Sequence, residues 1–208
     1  MRLRNLFVLG LSLVIGNVAL AGDEKPAAAA ATAAKAEIGK PAPQFALKDT
    51  TGKEFKLADF AGKVVVLEWA NHECPVCVNH YKSKSIQNMV AKFKGQPVQF
   101  FAVDSSSFAQ EKIESIKKFI ADNKIEQPYL IDAPGTVGMM YGAKTTPHMF
   151  VIDQKGNLAY MGAIDDNAGN DKATPRNYVE EAVGALLKGS AVATATTTPY
   201  GCSVKYKK

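Results

Sequence analysis

The hydrophobic and polar positions of this chain predict strands that alternate with helices. Apolar residues at 45–47 and 55–57 flank the polar, glycine-containing segment 49–53, which is a β-hairpin signal. The β-branched run 64–67 has no polar interruption, and this is typical of a strand buried on both faces. Further apolar runs predict strands at 98–103, 129–131, 149–152 and 158–161.

Apolar residues at helical spacing predict three helices between and after these strands. The first is a single long helix that carries Val78, Tyr81, Ile86, Met89, Val90 and Phe93. The second carries Ile113, Ile116, Phe119 and Ile120, and the third closes the domain at 178–187. The order is a hairpin, then β-α-β-α-β, then β-β-α. It predicts an α/β fold with a central mixed sheet flanked by helices and an N-terminal β-hairpin.

The N-terminus has the pattern of an export signal. Arg2 and Arg4 precede an apolar run at 6–20 that ends in small residues, so residues 1–21 are predicted to be a cleaved signal peptide. The run is shorter than the roughly 20 residues of a membrane span. We expect a periplasmic or secreted protein that does not span the membrane after cleavage.

The mature chain is predicted to have three parts. Residues 22–37 contain eight Ala and no large apolar residue, which predicts a disordered linker. Residues 38–189 form the folded domain. Residues 190–208 are a tail, rich in Ala and Thr, that carries Cys202.

Charge and cysteine content exclude several classes of protein. The net charge is +5 and includes Arg2 and Arg4 of the predicted signal, so the mature chain is only weakly basic and we expect no nucleic-acid partner. Three cysteines are too few for a disulfide-rich scaffold. We expect no cofactor and no metal.

The strongest chemical signal is the motif Cys74-Pro75-Val76-Cys77, which follows a buried strand and opens a helix. Cys74 would occupy the N-cap with Pro75 at the first helical position, and helix amides would stabilise a Cys74 thiolate. Cys77 would lie one turn inside the helix, better shielded. The spacing predicts thiol–disulfide exchange in which Cys74 attacks and Cys77 resolves the mixed disulfide.

Other interpretations of these cysteines remain open. They could form an inert bridge or two buried thiols. A metal site is the second alternative, because His72 and His80 lie close in sequence to the two thiols and His148 is a third imidazole.

Three stretches carry a resemblance to a known family. They are residues 64–70 leading into Cys74–Cys77, Tyr141-Gly142-Ala143 followed by 146–153 and Gly156, and the hairpin before the first buried strand. With these stretches, 38–189 resembles the redoxin, or peroxiredoxin-like, branch of the thioredoxin superfamily. This branch includes periplasmic thiol–disulfide oxidoreductases and alkyl hydroperoxide reductase/thiol-specific antioxidant-like domains. The resemblance implies a thioredoxin-like fold, a cis Pro147 facing the dithiol, and a Thr146 backbone that binds substrate.

Within this family, disulfide exchange competes with peroxide reduction. The family's peroxidases activate their cysteine with a Thr or Ser three residues earlier and with an Arg, but here Asn71 takes the first position. Arg176 is the only Arg after residue 21 and lies before the last helix. We therefore predict a thiol–disulfide oxidoreductase. The alternative is a peroxiredoxin-like enzyme with Cys74 peroxidatic and Cys77 or Cys202 resolving.

A third function belongs to another class. Copper-delivery proteins of oxidase assembly have a thioredoxin fold with a cysteine pair and one distant His, which here could be His148. The predicted partners of the enzyme are protein or small-molecule disulfides, or peroxides in the alternative, and a thiol protein that donates or accepts electrons.

Four further residues are candidates for roles at the site. Gly201-Cys202 resembles the C-terminal Gly-Cys of an uncharacterised peroxiredoxin-like group, so Cys202 could be a resolving thiol, a free thiol or part of a static bridge. Glu68 ends the first buried strand and could transfer protons for Cys77, or point outward. Trp69 could belong to the core or the site wall, and Asn71 could donate a hydrogen bond at the site.

Overall fold

The computed structural model describes residues 35–169 and 171–207. The predicted signal peptide and all but the end of the predicted linker lie outside these residues. Ala36 already contacts the folded domain, because its amide donates to the carbonyl of Met140 at 2.9 Å. Within the described ranges, no helix is both long enough and apolar enough to span a bilayer.

The secondary structure follows the predicted order closely. The strands are β1 Ala46–Asp49, β2 Glu54–Lys56, β3 Val64–Trp69, β4 Val98–Asp104, β5 Tyr129–Ile131, β6 Thr145–Thr146, β7 His148–Ile152, β8 Leu158–Gly162 and β9 Cys202–Ser203. The helices are α1 Pro75–Lys82, α2 Ser85–Lys92, α3 Ile113–Asn123, α4 Thr136–Tyr141 and α5 Tyr178–Leu187. A 3₁₀ turn, Leu57–Phe60, follows the hairpin.

Seven strands form one mixed sheet in the order β2-β1-β5-β4-β3-β7-β8. The central strand β3 is parallel to β4 and antiparallel to β7, and β4 is parallel to β5. Parallel neighbours require crossover connections, which the helices supply. The prediction of a central mixed sheet with an N-terminal hairpin is confirmed.

Alternation along β3 divides the core into two layers. Val65, Leu67 and Trp69 face one side, where they join a cluster with Tyr141 of α4 and the hairpin. Val64 and Val66 face the other side, where α1, α2 and α5 cover the sheet. Every residue of β3 is buried, and the apolar run 64–67 predicted this for its first four residues. The same alternation turns Glu68 toward the layer that contains α1.

One prediction about the helices is wrong, and one helix was not predicted. The single long helix after the dithiol is two helices, because Lys84 between them has a left-handed backbone with φ of 65°. The hydroxyls of Ser83 and Ser85 both donate to the carbonyl of His80, and such side-chain bonds compete with a continuing helix. Helix α4 was not predicted, since its six residues are too few to show periodicity.

The C-terminal segment folds back onto the domain. Its last strand, β9, pairs with β6 in a separate two-stranded sheet. Tyr200 packs against the cluster on the α1 side, whereas Val204 packs against the cluster on the opposite side. The predicted division into linker, domain and tail stays a prediction.

Candidate active site

Cys74 lies at the N-cap of α1, with Pro75 at the first helical position. The buried strand β3 ends shortly before Cys74, so the C-terminal end of this strand and the N-terminus of α1 meet at the cysteine. The Asn71 carbonyl accepts from the Cys74 amide at 3.1 Å, and the Cys74 carbonyl accepts from the Val78 amide at 2.9 Å. The predicted placement of Cys74 and Pro75 at the start of the helix is what the structure has.

The segment that faces this helix end contains Thr146, the last residue of β6, and Pro147, which lies between β6 and β7. The peptide bond between them is cis, as the resemblance implies. Cys74 Sγ lies 3.0 Å from the carbonyl oxygen of Thr146, so the two elements meet at hydrogen-bond distance. The structure therefore brings Cys74, Thr146 and Pro147 together from positions more than 70 residues apart in the chain.

The two cysteines of the motif have opposite electrostatic environments. A hydrogen bond from Cys77 is the main reason that the pKa of Cys74 falls to about 4, although burial opposes the shift. A second hydrogen bond, from Cys202, lowers the pKa further. Burial raises the pKa of Cys77 well above its usual value, and its bond to Cys74 and the charge of Glu68 add to this. At neutral pH, Cys74 is the thiolate and Cys77 the thiol.

A buried acid lies next to the shielded cysteine. Glu68 is 3% exposed, and burial raises its pKa to about 7, although a hydrogen bond from Tyr81 opposes the rise. The Tyr81 hydroxyl donates to Glu68 Oε2 at 2.6 Å, while Oε1 has no protein partner. A carboxyl group with this pKa can accept or donate a proton near neutral pH.

The contact of Tyr81 with Glu68 was not predicted, because Tyr81 was considered only as part of an apolar stripe. Tyr81 is fully buried, and a buried tyrosine hydroxyl needs a hydrogen-bond partner. This requirement was the signal that could have pointed to a polar contact of Tyr81. Gln127 Nε2 also donates to the Tyr81 hydroxyl, at 3.3 Å.

Cys202 reaches the same place from the C-terminal end of the chain. In the pairing of β9 with β6, Cys202 is opposite Thr146 and Ser203 is opposite Thr145. The Thr146 hydroxyl donates to the Cys202 carbonyl at 3.4 Å, and burial and the neighbouring Cys74 raise the pKa of Cys202. All three cysteines are free thiols in this structure.

Trp69 and Asn71 have structural partners. Trp69 is fully buried, its indole nitrogen donates to Ser105 Oγ at 2.9 Å, and its ring contacts Tyr141 and Phe150. Asn71 donates from its amide to Ser106 Oγ at 2.8 Å and accepts from the Glu73 amide at 2.7 Å. Both polar ends of Asn71 are thus engaged in holding the loop before Cys74.

Each histidine has a hydrogen-bond partner of its own. His72 contacts Ser115 Oγ through Nε2 at 2.9 Å, His80 contacts Tyr200, and His148 Nδ1 accepts from the Lys144 amide at 3.3 Å. Burial lowers the pKa of His148 to about 4. Across residues 35–169 and 171–207, no group of three or more His, Cys, Asp or Glu side chains is arranged to hold a metal ion.

Comparison with known proteins identifies the family of this chain. The model of the AhpC/TSA family matches residues 38–161, which is more than half of the chain. The chain belongs to the AhpC/TSA family. The predicted membership of the redoxin branch of the thioredoxin superfamily is confirmed.

Curated relatives of this AhpC/TSA family member include thiol–disulfide oxidoreductases. The protein of Bacillus thuringiensis subsp. konkukian named thiol-disulfide oxidoreductase ResA is 32% identical over 124 residues, covering 60% of this chain and 68% of that protein. The ResA of Bacillus subtilis strain 168 is 29% identical over 120 residues, covering 58% and 64%. The prediction of a thiol–disulfide oxidoreductase agrees with these names.

Solved structures support the fold over more of the chain. A hypothetical protein of Sinorhizobium meliloti 1021 superposes with a TM-score of 0.74 at 28% identity, covering 82% of this chain and 95% of its own. A protein of Chlorobium tepidum assigned as thiol:disulfide interchange protein DsbE has a TM-score of 0.54 at 31% identity, covering 61% and 85%. The predicted thioredoxin-like fold is confirmed.

Proposed function

We propose that this chain is an exported thiol–disulfide oxidoreductase in which Cys74 attacks and Cys77 resolves. The observation that carries the proposal is the contrast between the two thiols. Cys74 is at the helix N-cap, beside the cis proline and with a low pKa, whereas Cys77 is buried with a raised pKa. The thiolate is the nucleophile in disulfide exchange, so this contrast supports attack by Cys74 and resolution by Cys77.

In one direction, the exchange reduces a substrate disulfide. The Cys74 thiolate attacks one sulfur of the substrate disulfide, a mixed disulfide forms, and the other substrate sulfur leaves as a thiolate. Cys77 then loses its proton to Glu68 and attacks Cys74 Sγ, which releases the second substrate thiolate. The products are a Cys74–Cys77 disulfide and a reduced substrate, and the reverse sequence oxidises a dithiol.

Asn71 and Arg176 favour disulfide exchange over peroxide reduction. The Asn71 amide, which stands where the family's peroxidases have a hydroxyl, donates to Ser106. Arg176 binds the Glu181 carboxylate through Nε and NH2 at 2.8 and 2.6 Å, in an exposed position before α5. Each group already has a partner, which weakens the case for either as an activator of peroxide.

The partners and the location are part of the same proposal. We expect protein or small-molecule disulfides as substrates, and a separate thiol protein as electron donor or acceptor. Export rests on the sequence pattern at residues 1–21, in a compartment where disulfides persist.

A trapping experiment tests the order of attack. All variants in this experiment also carry Cys202→Ser, because Cys202 could otherwise resolve the mixed disulfide. With Cys77→Ser added, the mixed disulfide between Cys74 and a cysteine peptide should accumulate, which mass spectrometry of peptide adducts would detect. The matched control is Cys74→Ser, which should trap almost nothing because Cys77 is buried and protonated. Equal trapping by both variants would reverse the assigned roles.

A second measurement separates the two enzyme classes. Cys74 oxidation is followed with hydrogen peroxide and with a small disulfide at equal concentration. Faster reaction with the disulfide is expected. A peroxide reaction as fast as that of a dedicated peroxidase would make the peroxiredoxin-like alternative the better assignment.

A further inference from the structure

The chain's own C-terminal segment pairs with the short strand β6 next to the dithiol. Strand β9 pairs antiparallel with β6, where Thr146 immediately precedes the cis proline. An extended peptide that adds a strand to an exposed edge is a general mode of peptide binding. The tail therefore lies where the site would otherwise pair with the backbone of a peptide substrate.

Gly201 shows how closely the tail approaches this edge. Its φ is +121°, a conformation that L side chains rarely adopt. A Cβ at this position would lie 2.2 Å from the Thr146 carbonyl oxygen and 3.2 Å from Pro147 Cδ. Only glycine allows the backbone to come this close, so the sequence at 201 fits the docked position of the tail.

Contacts on both sides of Cys202 hold the tail in this register. Before it, the Tyr200 hydroxyl donates to Asp165 Oδ1 and lies 3.1 Å from His80 Nε2 of α1. After it, the Tyr206 hydroxyl donates to the Ala143 carbonyl at 2.8 Å, and the Val204 amide donates to the Lys144 carbonyl at 3.0 Å. A loose tail would not have specific partners on both sides of the cysteine.

The register brings Cys202 to Cys74. Cys202 pairs with Thr146, whose carbonyl oxygen lies 3.0 Å from Cys74 Sγ, and interaction with Cys202 lowers the pKa of Cys74. Cys74 itself is only 3% exposed with the tail in place. An attacking thiolate that is buried in this way needs either a partner already inside the site or displacement of the segment that covers it.

We propose that residues 199–206 act as a tethered peptide substrate whose Cys202 exchanges with the Cys74–Cys77 disulfide. An external peptide must displace this segment before it can react. The proposal rests on the proposed function, because it requires that disulfide to form. It adds a third cysteine to the reaction and identifies extended, cysteine-containing peptides as the competing substrates.

The exchange step needs no additional oxidant. Cys202, which is partly exposed, loses its proton to solvent water, and its thiolate attacks Cys74 Sγ. The Cys74–Cys202 bond forms as the Cys74–Cys77 bond breaks, and Cys77 leaves as a thiolate that Glu68 can protonate. One disulfide is consumed and one is made, so the number of electrons in the protein does not change.

The first experiment tests whether the pairing of β9 with β6 places Cys202, rather than its neighbour, next to Cys74. In Cys77→Ser protein equilibrated with oxidised and reduced glutathione, we expect a predominant Cys74–Cys202 disulfide by mass-spectrometric mapping. The matched control adds Cys202→Ser and Ser203→Cys, which moves the thiol by one residue on an equally long tether. A flexible tether alone gives an effective concentration in the millimolar range, so docking should favour Cys202 by about tenfold or more. Equal yields at 202 and 203 would overturn the proposal.

The second experiment tests displacement with the full cysteine set. Gly201→Ala should push the tail away from Thr146 and raise the rate of exchange with an extended cysteine peptide by roughly tenfold. Gly184→Ala is the matched control, because a Cβ at position 184 in α5 meets nothing within 4 Å. If Gly201→Ala fails to fold, Tyr200→Phe removes the contacts with Asp165 and His80 and should raise the rate less. Unchanged rates in the folded variants would contradict a tail that blocks the site.

Failure of the two proposals can be told apart. The Cys202→Ser protein contains only Cys74 and Cys77, and a redox titration shows whether they form a reversible disulfide. If they do and both tail experiments are negative, only the tethered substrate is refuted. If they do not, the proposed function itself is wrong.

Discussion

Replacing Glu68 by Gln should change the pH dependence of stability in a direction that the structure fixes. Glu68 is fully enclosed between β3 and α1, and burial raises its pKa from 4.5 to about 7. The folded protein therefore binds a proton at Glu68 more tightly than the unfolded chain does. Such a group contributes stability that is fully present below pH 4.5 and is lost as the pH rises through about 7.

The size of the effect follows from the two pKa values. A pKa difference of about 2.5 corresponds to roughly 3 kcal/mol, since each pH unit is worth 1.36 kcal/mol. Relative to Glu68→Gln, the wild-type protein should lose about 3 kcal/mol of unfolding free energy between pH 4.5 and pH 8. Burying the glutamine amide also has a cost of its own, but that cost does not depend on pH and cancels in the comparison.

The assay is urea unfolding of both proteins at several pH values, with a reductant that keeps all cysteines as thiols. The difference in unfolding free energy should change across the window from pH 4.5 to pH 8 and level off outside it. Glu126→Gln is the control, because Glu126 is an exposed partner of Lys94 whose charge is screened by solvent. A difference between wild type and Glu68→Gln that does not vary with pH would refute the account of Glu68 as a buried proton carrier.

Three further outcomes follow from the structure. Tyr81→Phe removes the hydrogen bond that lowers the pKa of Glu68, so the same stability window should move to higher pH; a move to lower pH would contradict the assignment. Iodoacetamide should label Cys74 before the other cysteines at pH 6, and mass spectrometry should show its rate falling only as the pH approaches about 4. Phe150→Ala should cost about 3–5 kcal/mol of unfolding free energy, whereas Met139→Ala, at a residue 57% exposed, should cost less than about 0.5 kcal/mol; similar costs would show that the assigned core is wrong.

Local chemistry made the dithiol predictable. A cysteine before a proline, after a buried strand and before a helical pattern, has few structural options, and the structure places Cys74 and Pro75 where that pattern predicts. The break at Lys84 was not predictable from apolar spacing, because Ile86 and Met89 continue the helical period across it. Tyr81 was assigned to the apolar core for the same reason, since spacing does not show where a hydroxyl finds its partner.

The sequence by itself determined the order of elements, the buried central strand and the position of Cys74 at the start of a helix, because these depend on residues close together along the chain. Only the tertiary structure decided which distant residues meet Cys74. The Glu68 side chain points toward α1 because the even-numbered residues of β3 face that layer. The contact between Thr146 and Cys74 depends on how β7 pairs with β3. The position of Cys202 depends on the pairing of β9 with β6, which joins segments more than 50 residues apart and leaves no periodic signal in either.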